Sequence, residues 1–324
     1  MISDYIEIHK KTIVNITCLT IVIICIMTIL VLSLPPNYSK ELKEIDLICD
    51  TNQVKADSML YAYQKANKNM DSNDKWFCRF LSLKSDVKQN KDIADYKEVS
   101  AVLEHFEKED DKQTLQQVYY YAGCAYHIVG NAQQAINILQ KGLAIIPKKK
   151  GTEDLRALYY YMLGGIFSYQ YLHEEAFDMQ SKALELHKMR KDYKRIMYDY
   201  ISIAWTYKAF ENYDAAISCL EKAKNISKKE FPDNSLAEIY SQIADTYYQK
   251  GQYKIAKANI EQALDENSIS DKHTVYSIAA HIYDALGKRI YQNYIAENYC
   301  KSEQRTIVST YTSSSPSGAR SKVI

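Results

Sequence analysis

Apolar residues follow two different patterns along this chain. From Ile13 to Leu34 the run IVNITCLTIVIICIMTILVLSL is apolar and uncharged almost throughout. At ~1.5 Å rise per residue it would reach about 33 Å as a helix, enough for a bilayer core of roughly 30 Å. A transmembrane anchor over 13–34 is therefore expected, behind a short tail at 1–12. A cleaved signal peptide fits less well, because the run is too long and ends in Pro35-Pro36. Beyond it, apolar positions recur every three or four residues over Lys40–Cys49, Val54–Ala66, Lys75–Lys84 and Ile93–Lys108, which predicts a helical lead-in over 40–110. Breaks fall at Asn67–Asn73 and Gln89–Asp92. The periodicity fades at the far end, where residues 305–324 include SSSPSGARSKVI and read as a disordered Ser-rich tail.

Between 116 and 300 the helical pattern repeats itself. Tyr119, Ala122, Gly123, Tyr126, Gly130, Ala135, Leu139 and Gly142 recur as Tyr160, Leu163, Gly164, Phe167, Ala176 and Ala183, then as Tyr200, Ile203, Ala204, Tyr207, Ala216, Leu220 and Ala223. A fourth copy reads Tyr240, Ile243, Ala244, Tyr247, Gly251, Ala256, Ile260 and Ala263. A fifth opens with Tyr276, Ala279, Ala280, Tyr283 and Gly287 and then degenerates, with Gln292 where alanine is due. Two antiparallel helices approach closely only where small side chains meet, so Gly123 or Ala204 on a first helix should face Ala135 or Ala216 on a second. The aromatics four before and three after the small slot share its face.

This series resembles the tetratricopeptide repeat: aromatic, Leu-Gly, aromatic, then alanine, a large apolar residue and a second alanine. Its slots Gly123, Gly164, Ala204, Ala244 and Ala280 lie 41, 40, 40 and 36 residues apart, against about 34 in that family. The added residues are assigned to connections such as Lys148–Thr152 and Phe231–Asn234, with Thr152 or Asp233 as helix caps. The resemblance implies an all-α fold, a right-handed superhelical solenoid of antiparallel helix pairs with a concave groove, behind the N-terminal transmembrane helix. The arrangement also resembles a broad group of bacterial membrane-anchored proteins of this kind, which often carry an output domain that this sequence does not show.

The triplets Tyr119–Tyr121 and Tyr159–Tyr161 pose a question of register. Neighbours on a helix stand about 100° apart, so three in a row cannot share a face. Tyr119 and Tyr160 are assigned to the buried slot, Tyr121 and Tyr159 to packing between repeats. Tyr120 and Tyr161 fall on the stripe that, by the resemblance, lines the groove. Followed through the repeats, that stripe yields a partner-binding set of Tyr120, His127, Tyr161, Tyr169, Tyr198, Trp205, Lys208, Asp245 and Tyr248. Lys208 is its only basic member, which argues against a clamp for a terminal carboxylate.

Composition narrows the function. With 41 basic against 40 acidic side chains the net charge is +1, which gives no nucleic-acid footprint. The 7 cysteines form no CxxC or zinc spacing and read as idle thiols. His173-Glu174-Glu175 lacks the second histidine of a helical zinc site. No nucleophile–base constellation, cofactor or metal motif is present in the sequence, so an enzyme is not expected. The 29 tyrosines against 7 Phe and 2 Trp suit aromatic packing in helices, and also an AT-rich genome. Two readings remain: a membrane-anchored scaffold that binds a protein or peptide segment in its groove, or a sensory module that signals through a separate output protein. A plain spacer is the bland rival. His9, Lys10 and Lys11 precede the span directly, while Lys40 and Lys43 follow it at a distance with Glu41, Glu44 and Asp46 among them. This places the tail inside and the repeats on the outer, periplasmic side of the inner membrane, in a single-pass topology.

Overall fold

The computed structural model describes residues 37–287 apart from 92, 94–95, 110 and 267–271, together with Ile21. The expected anchor at 13–34 (Ile21 aside), the 1–12 and 305–324 tails and the second helix of the fifth repeat lie outside these residues. Among the described residues no helix is long and apolar enough to cross a membrane. They form thirteen α-helices and no strand, divided into two compact units that meet at Lys148 and Lys149.

The first unit holds α1 (Lys40–Cys49), α2 (Gln53–Ala66), α3 (Ser72–Lys88), α4 (Tyr96–Lys108), α5 (Lys112–Ile128) and α6 (Ala132–Ile145). Its helix starts are written in the sequence: the side chains of Ser39, Asn52, Asp71, Asp111 and Asn131 each accept a backbone N–H of the first turn. Helix α3 sits at the centre of this unit, packed on α1, α2, α4 and α5. Phe80 of α3 is fully buried and its ring meets Phe106 and Tyr121 at centroid distances of 5.9 and 6.1 Å. Asp74 ties three segments together, accepting the Ser39 N–H at 2.8 Å and the Tyr63 hydroxyl at 2.6 Å. Lys84, 1% exposed, reaches back to the Asp46 carboxylate at 2.8 Å and to Asp50 at 3.2 Å. Burial alone would lower the Lys84 ammonium, but those two carboxylates outweigh it and hold the group above its ordinary value.

The second unit holds α7 (Glu153–Tyr169), α8 (His173–Arg190), α9 (Tyr193–Ala209), α10 (Tyr213–Glu230), α11 (Ala237–Gln249), α12 (Tyr253–Asp265) and α13 (Lys272–Ala285). Successive helices pair through turns of three residues after α7, α9 and α11, and the pairs stack through α8 on α9 and α10 on α11. The small slots are where the pairs close: Ala176, Ala216 and Ala256 have no exposed surface and Ala204 and Ala244 almost none. Two apolar cores result, one centred on Ile203, Ala216, Leu220 and Ile243 and the next on Ala244, Ile260, Ala279 and Ile282.

The expected caps differ in detail. Thr152 does stand before α7, but its hydroxyl donates to the Lys149 carbonyl at 2.8 Å instead of capping the helix. Asp233 lies in the turn and caps nothing; α11 starts later, at Ala237, whose N–H is met by Ser235 Oγ at 3.2 Å. The Phe-Pro-Asp-Asn turn uses up the extra residues before the helix begins.

Neighbouring glycines of α7 should respond to alanine with opposite signs. A Cβ on Gly164 would stand 2.8 Å from Gln180 Cγ and 3.3 Å from its backbone nitrogen, whereas one on Gly165 would meet nothing within 4 Å. Gly164→Ala should therefore lower stability by about 1–3 kcal/mol through overpacking. Gly165→Ala should raise it by about 0.5–1 kcal/mol by removing backbone freedom from the unfolded chain. Denaturant melts of the two variants check both signs.

Candidate functional site

In the second unit α7, α9 and α11 are the first helices of their pairs and carry seven of the nine stripe residues. Tyr161 and Tyr198 are each 40% exposed and Trp205 is 53% exposed. Tyr169 stands at the end of α7, largely in solvent. Burial first, then the nearby Asp199 carboxylate, pushes the Tyr161 phenol above its ordinary value, with Tyr198 and Tyr169 among its surroundings. The hydroxyl is therefore a neutral hydrogen-bonding group at physiological pH.

Lys208 and Asp245 are not open to a ligand in the way the stripe suggests. Lys208 is buried, and its Nζ donates to Asp245 Oδ2 at 2.6 Å and to Gln242 Oε1 at 3.5 Å, bridging α9 to α11. Gln249 Nε2 donates to the same Asp245 oxygen at 2.9 Å. The ammonium also lies 4.3 Å over the centre of the Trp205 ring. Trp205 is thus held in place by a cation whose charge is already balanced, and the ring keeps its outer face open. Tyr248 is half-buried, with its ring beside Tyr253 at 5.6 Å and His281 at 6.3 Å. The remaining two stripe residues, Tyr120 and His127, belong to α5 of the first unit and are half-buried there. The Tyr120 ring packs edge-on to Tyr121 at 5.2 Å, and burial holds the His127 imidazole below its ordinary value.

Behind the exposed rings lies a polar layer that the sequence pattern did not announce. Gln180 of α8, 1% exposed, occupies the space that Gly164 leaves. Its Nε2 donates to Ser168 Oγ at 3.1 Å and to Ser202 Oγ at 3.0 Å, while its Oε1 accepts from Thr206 Oγ1 at 2.8 Å. One amide thereby joins α7, α8 and α9. Further along, His187 Nδ1 and Asp199 Oδ2 lie 2.6 Å apart, both buried, with His187 Nε2 and Asp199 Oδ1 unpartnered. Burial pushes the Asp199 carboxyl up, against the opposing pull of the His187 bond. A signal for this pair was available: Asp199 sits in MYDYISIAW, an acid among apolar residues on a helix.

The tyrosine triplets divide their work differently from the expectation in one respect. Tyr119 is buried with its hydroxyl donating to Glu107 at 2.8 Å, and Tyr121 packs inward on Phe80. In the second triplet it is Tyr159, with no exposed surface, that fills the core, while Tyr160 is half-buried with Lys182 Nζ 5.9 Å from its ring centre. Spacing alone does not give which ring of the second triplet meets the core. Among the described residues no group of acidic, His and Cys side chains is arranged to hold a metal ion. The four described cysteines, Cys49, Cys78, Cys124 and Cys219, are buried free thiols; burial pushes Cys124 up to about 12 and it is chemically inert in that state.

Comparison with known proteins gives this geometry a context. A family model described as tetratricopeptide repeat matches residues 200–265, which span α9 from Tyr200 through α12. No curated protein matches the chain. Among solved structures, RapI without ligand aligns with a TM-score of 0.65 at 15% identity, over 80% of this chain and 76% of its own. A Rap protein complexed with competence and sporulation factor gives 0.61 at 15% identity, over 81% and 75%. NprR in complex with its cognate peptide NprX gives 0.60 at 16% identity, over 79% and 76%. The likeness is one of fold: an all-helical, tetratricopeptide-like stack of helix pairs.

The burial pattern separates core from surface by substitution. Tyr159→Ala should cost about 3–5 kcal/mol, as loss of a fully buried aromatic does. Trp205→Ala should move stability by ~0.5 kcal/mol or less. Lys208→Met strands Asp245 beside an apolar neighbour and should cost about 3 kcal/mol, part of which Lys208→Met with Asp245→Asn restores. Thermal melts of these four variants read all three values.

Proposed function

We propose that this chain is a membrane-anchored interaction module without catalysis of its own, which holds a peptide or a segment of a partner protein against the aromatic face of α7, α9 and α11. The observation that carries this reading is the pinned Trp205 ring, half exposed above the Lys208–Asp245 bridge. A ring already fixed in place gives up little freedom on binding, and aromatic anchors dominate interface energies. Tyr161, Tyr198 and Tyr169 extend that surface along the same helices, with Tyr248 at its α11 end, while Lys208 and Asp245 support it from behind. Tyr120 and His127 form a smaller candidate surface on α5.

The tetratricopeptide match at 200–265 supports an interaction role, as that repeat builds binding surfaces by stacking helix pairs. The NprR structure with its cognate peptide and the Rap structure with competence and sporulation factor support a peptide-sized occupant. The same two complexes favour a second reading, a sensory module that passes peptide binding on to a separate output protein. In either case the apolar run 13–34 is the anchor in this proposal, with the tail at 1–12 inside and both units on the outer side of the inner membrane.

Selection of a displayed random-peptide library on the full chain in mild detergent tests the site. A convergent motif should emerge, and Trp205→Ala or Tyr161→Ala should weaken its binding about tenfold or more with unchanged melting. Motifs that bind both variants as tightly as the parent chain would remove this face from consideration. For the anchor, deletion of residues 1–36 should move the protein from the membrane to the soluble fraction. Protease added to cells with an opened outer envelope should digest the units while the inner membrane stays sealed; protection until that membrane is lysed would place them in the cytoplasm.

A further inference from the structure

The turns that join the first and second helices of the pairs share one feature. A residue near the middle of each turn adopts the left-handed backbone conformation: Gly130 (φ 81°), Tyr171 (φ 59°), Glu211 (φ 56°) and Gly251 (φ 78°). Glycine takes that conformation without steric cost, whereas for a bulky aromatic it is an outlier that the surroundings must hold in place. Tyr171 does not recover the cost by burial, since it is 82% exposed. Its ring touches His173 edge-on at a centroid distance of 6.0 Å, and His173 touches Phe210 of the next turn at 5.9 Å. Leu172 and Phe210 are 41% and 45% exposed. The α7–α8 and α9–α10 turns therefore present an apolar ridge where local backbone chemistry asks for glycine.

Acids border that ridge: Glu174 and Glu175 in the first turn of α8, and Glu211 in the next connection. The opposite end of α8 is its complement. Between His187 and Arg195 the chain carries five basic residues; Arg190 pairs with Asp154 at 2.8 Å and Arg195 with Asp192 at 3.4 Å, which leaves Lys188, Lys191 and Lys194 as the excess positive charge. Met189 and Tyr193 are 66% and 41% exposed among them. On α8 the charges suit the helix dipole, Glu174 and Glu175 at its start and Lys188 and Arg190 at its end; Lys194 and Arg195, in the first turn of α9, oppose it. The dipole does not explain exposed apolar side chains at both ends, nor a tyrosine in a left-handed turn.

We propose that the two ends are halves of one interface, through which the acidic aromatic ridge at the α7–α8 and α9–α10 turns docks onto the basic α8–α9 edge of a second copy of this chain. The contact is heterologous, so each copy uses a different half and an unused half remains at either end. Charge complementarity selects this occupant. An isologous contact of ridge on ridge would bring Glu174, Glu175 and Glu211 against their own copies, and an anionic bilayer would be repelled from the ridge by the same acids. None of the residues named for this interface belongs to the aromatic face of α7, α9 and α11, so the two are tested apart.

Sedimentation velocity of the full chain in mild detergent, at low and high ionic strength, reads the association directly. Concentration-dependent assembly that weakens with salt is expected. Tyr171→Gly should weaken it about tenfold or more, as loss of an aromatic anchor does, without lowering the melting temperature. The edge variant Lys191→Glu with Lys194→Glu should lose assembly in the same way. Mixed together, the ridge variant and the edge variant should form a one-to-one dimer, because each retains the half that the other lacks. A chain that stays monomeric at all concentrations overturns the proposal, as does failure of the mixture to dimerise. If the edge variant loses binding to phosphatidylglycerol vesicles while the parent chain never self-associates, the basic edge serves a membrane and the proposal falls.

Discussion

How closely two helices of a pair approach decides most of what else this structure does. A Cβ added to Gly123 would stand 2.5 Å from Leu139 Cγ, and one added to Gly164 would stand 2.8 Å from Gln180 Cγ. In these two pairs the second helix thus drives a long side chain into the space that glycine vacates. The consequences part at once. Leu139 simply completes an apolar core, whereas Gln180 carries an amide into the same kind of slot and must satisfy it there. Three hydroxyls, from Ser168, Ser202 and Thr206, do so. The glycine at 164 is therefore the remote cause of the polar layer behind Tyr161 and Tyr198, because no longer approach would deliver Gln180 to α7 and α9 together.

What could be read from the sequence follows from the range of the forces involved. Small slots recur because pair packing demands them locally, so Ala176, Ala216 and Ala256 stood out by spacing and are fully buried. Helix starts at Asp71, Asp111 and Asn131 are local chemistry too, a side chain meeting an N–H three residues on, yet the caps expected from the sequence were Thr152 and Asp233, and neither side chain caps its helix. The partners of Lys208 were not legible, since Asp245 and Gln242 lie more than thirty residues away and only the stacking of α9 on α11 brings them near. Trp205 was placed on the right helix for an exposed ring, but its fixation by the Lys208 ammonium is a tertiary fact. Tyr159 and Tyr160 depart from their expected duties for a similar reason: adjacent residues differ by 100° on the helix, and the packing around α7 buries Tyr159 fully and Tyr160 only in part.

Buried polar groups give the second unit its particular character. An apolar core tolerates small slips in register, because dispersion forces have no direction. A buried amide with three partners, or a His187–Asp199 contact at 2.6 Å, does not. The two unpartnered atoms of that pair, His187 Nε2 and Asp199 Oδ1, show that directionality here comes at an energetic cost. Such groups fix how α7, α8 and α9 sit against one another, and the exposed tyrosines ride on helices whose spacing is set by them.

The two buried lysines among the described residues show how the same pairing yields a core in one unit and a candidate contact surface in the other. Lys84 bonds to Asp46 and lies 5.5 Å from the centre of the Tyr121 ring, which is itself buried, so cation, anion and ring close on one another. Lys208 bonds to Asp245 at 2.6 Å and lies 4.3 Å from the Trp205 ring, whose far face is open to solvent. The electrostatics are alike: a desolvated ammonium is stable only beside its carboxylate, and the ring adds to that attraction. The difference is the residue on the helix surface above the cation. At Tyr121 the neighbouring α3 supplies Phe80 to cover the ring; at Trp205 the ring remains 53% exposed. A bridge that in the first unit only holds helices together thus becomes, in the second, the support for an ordered aromatic surface.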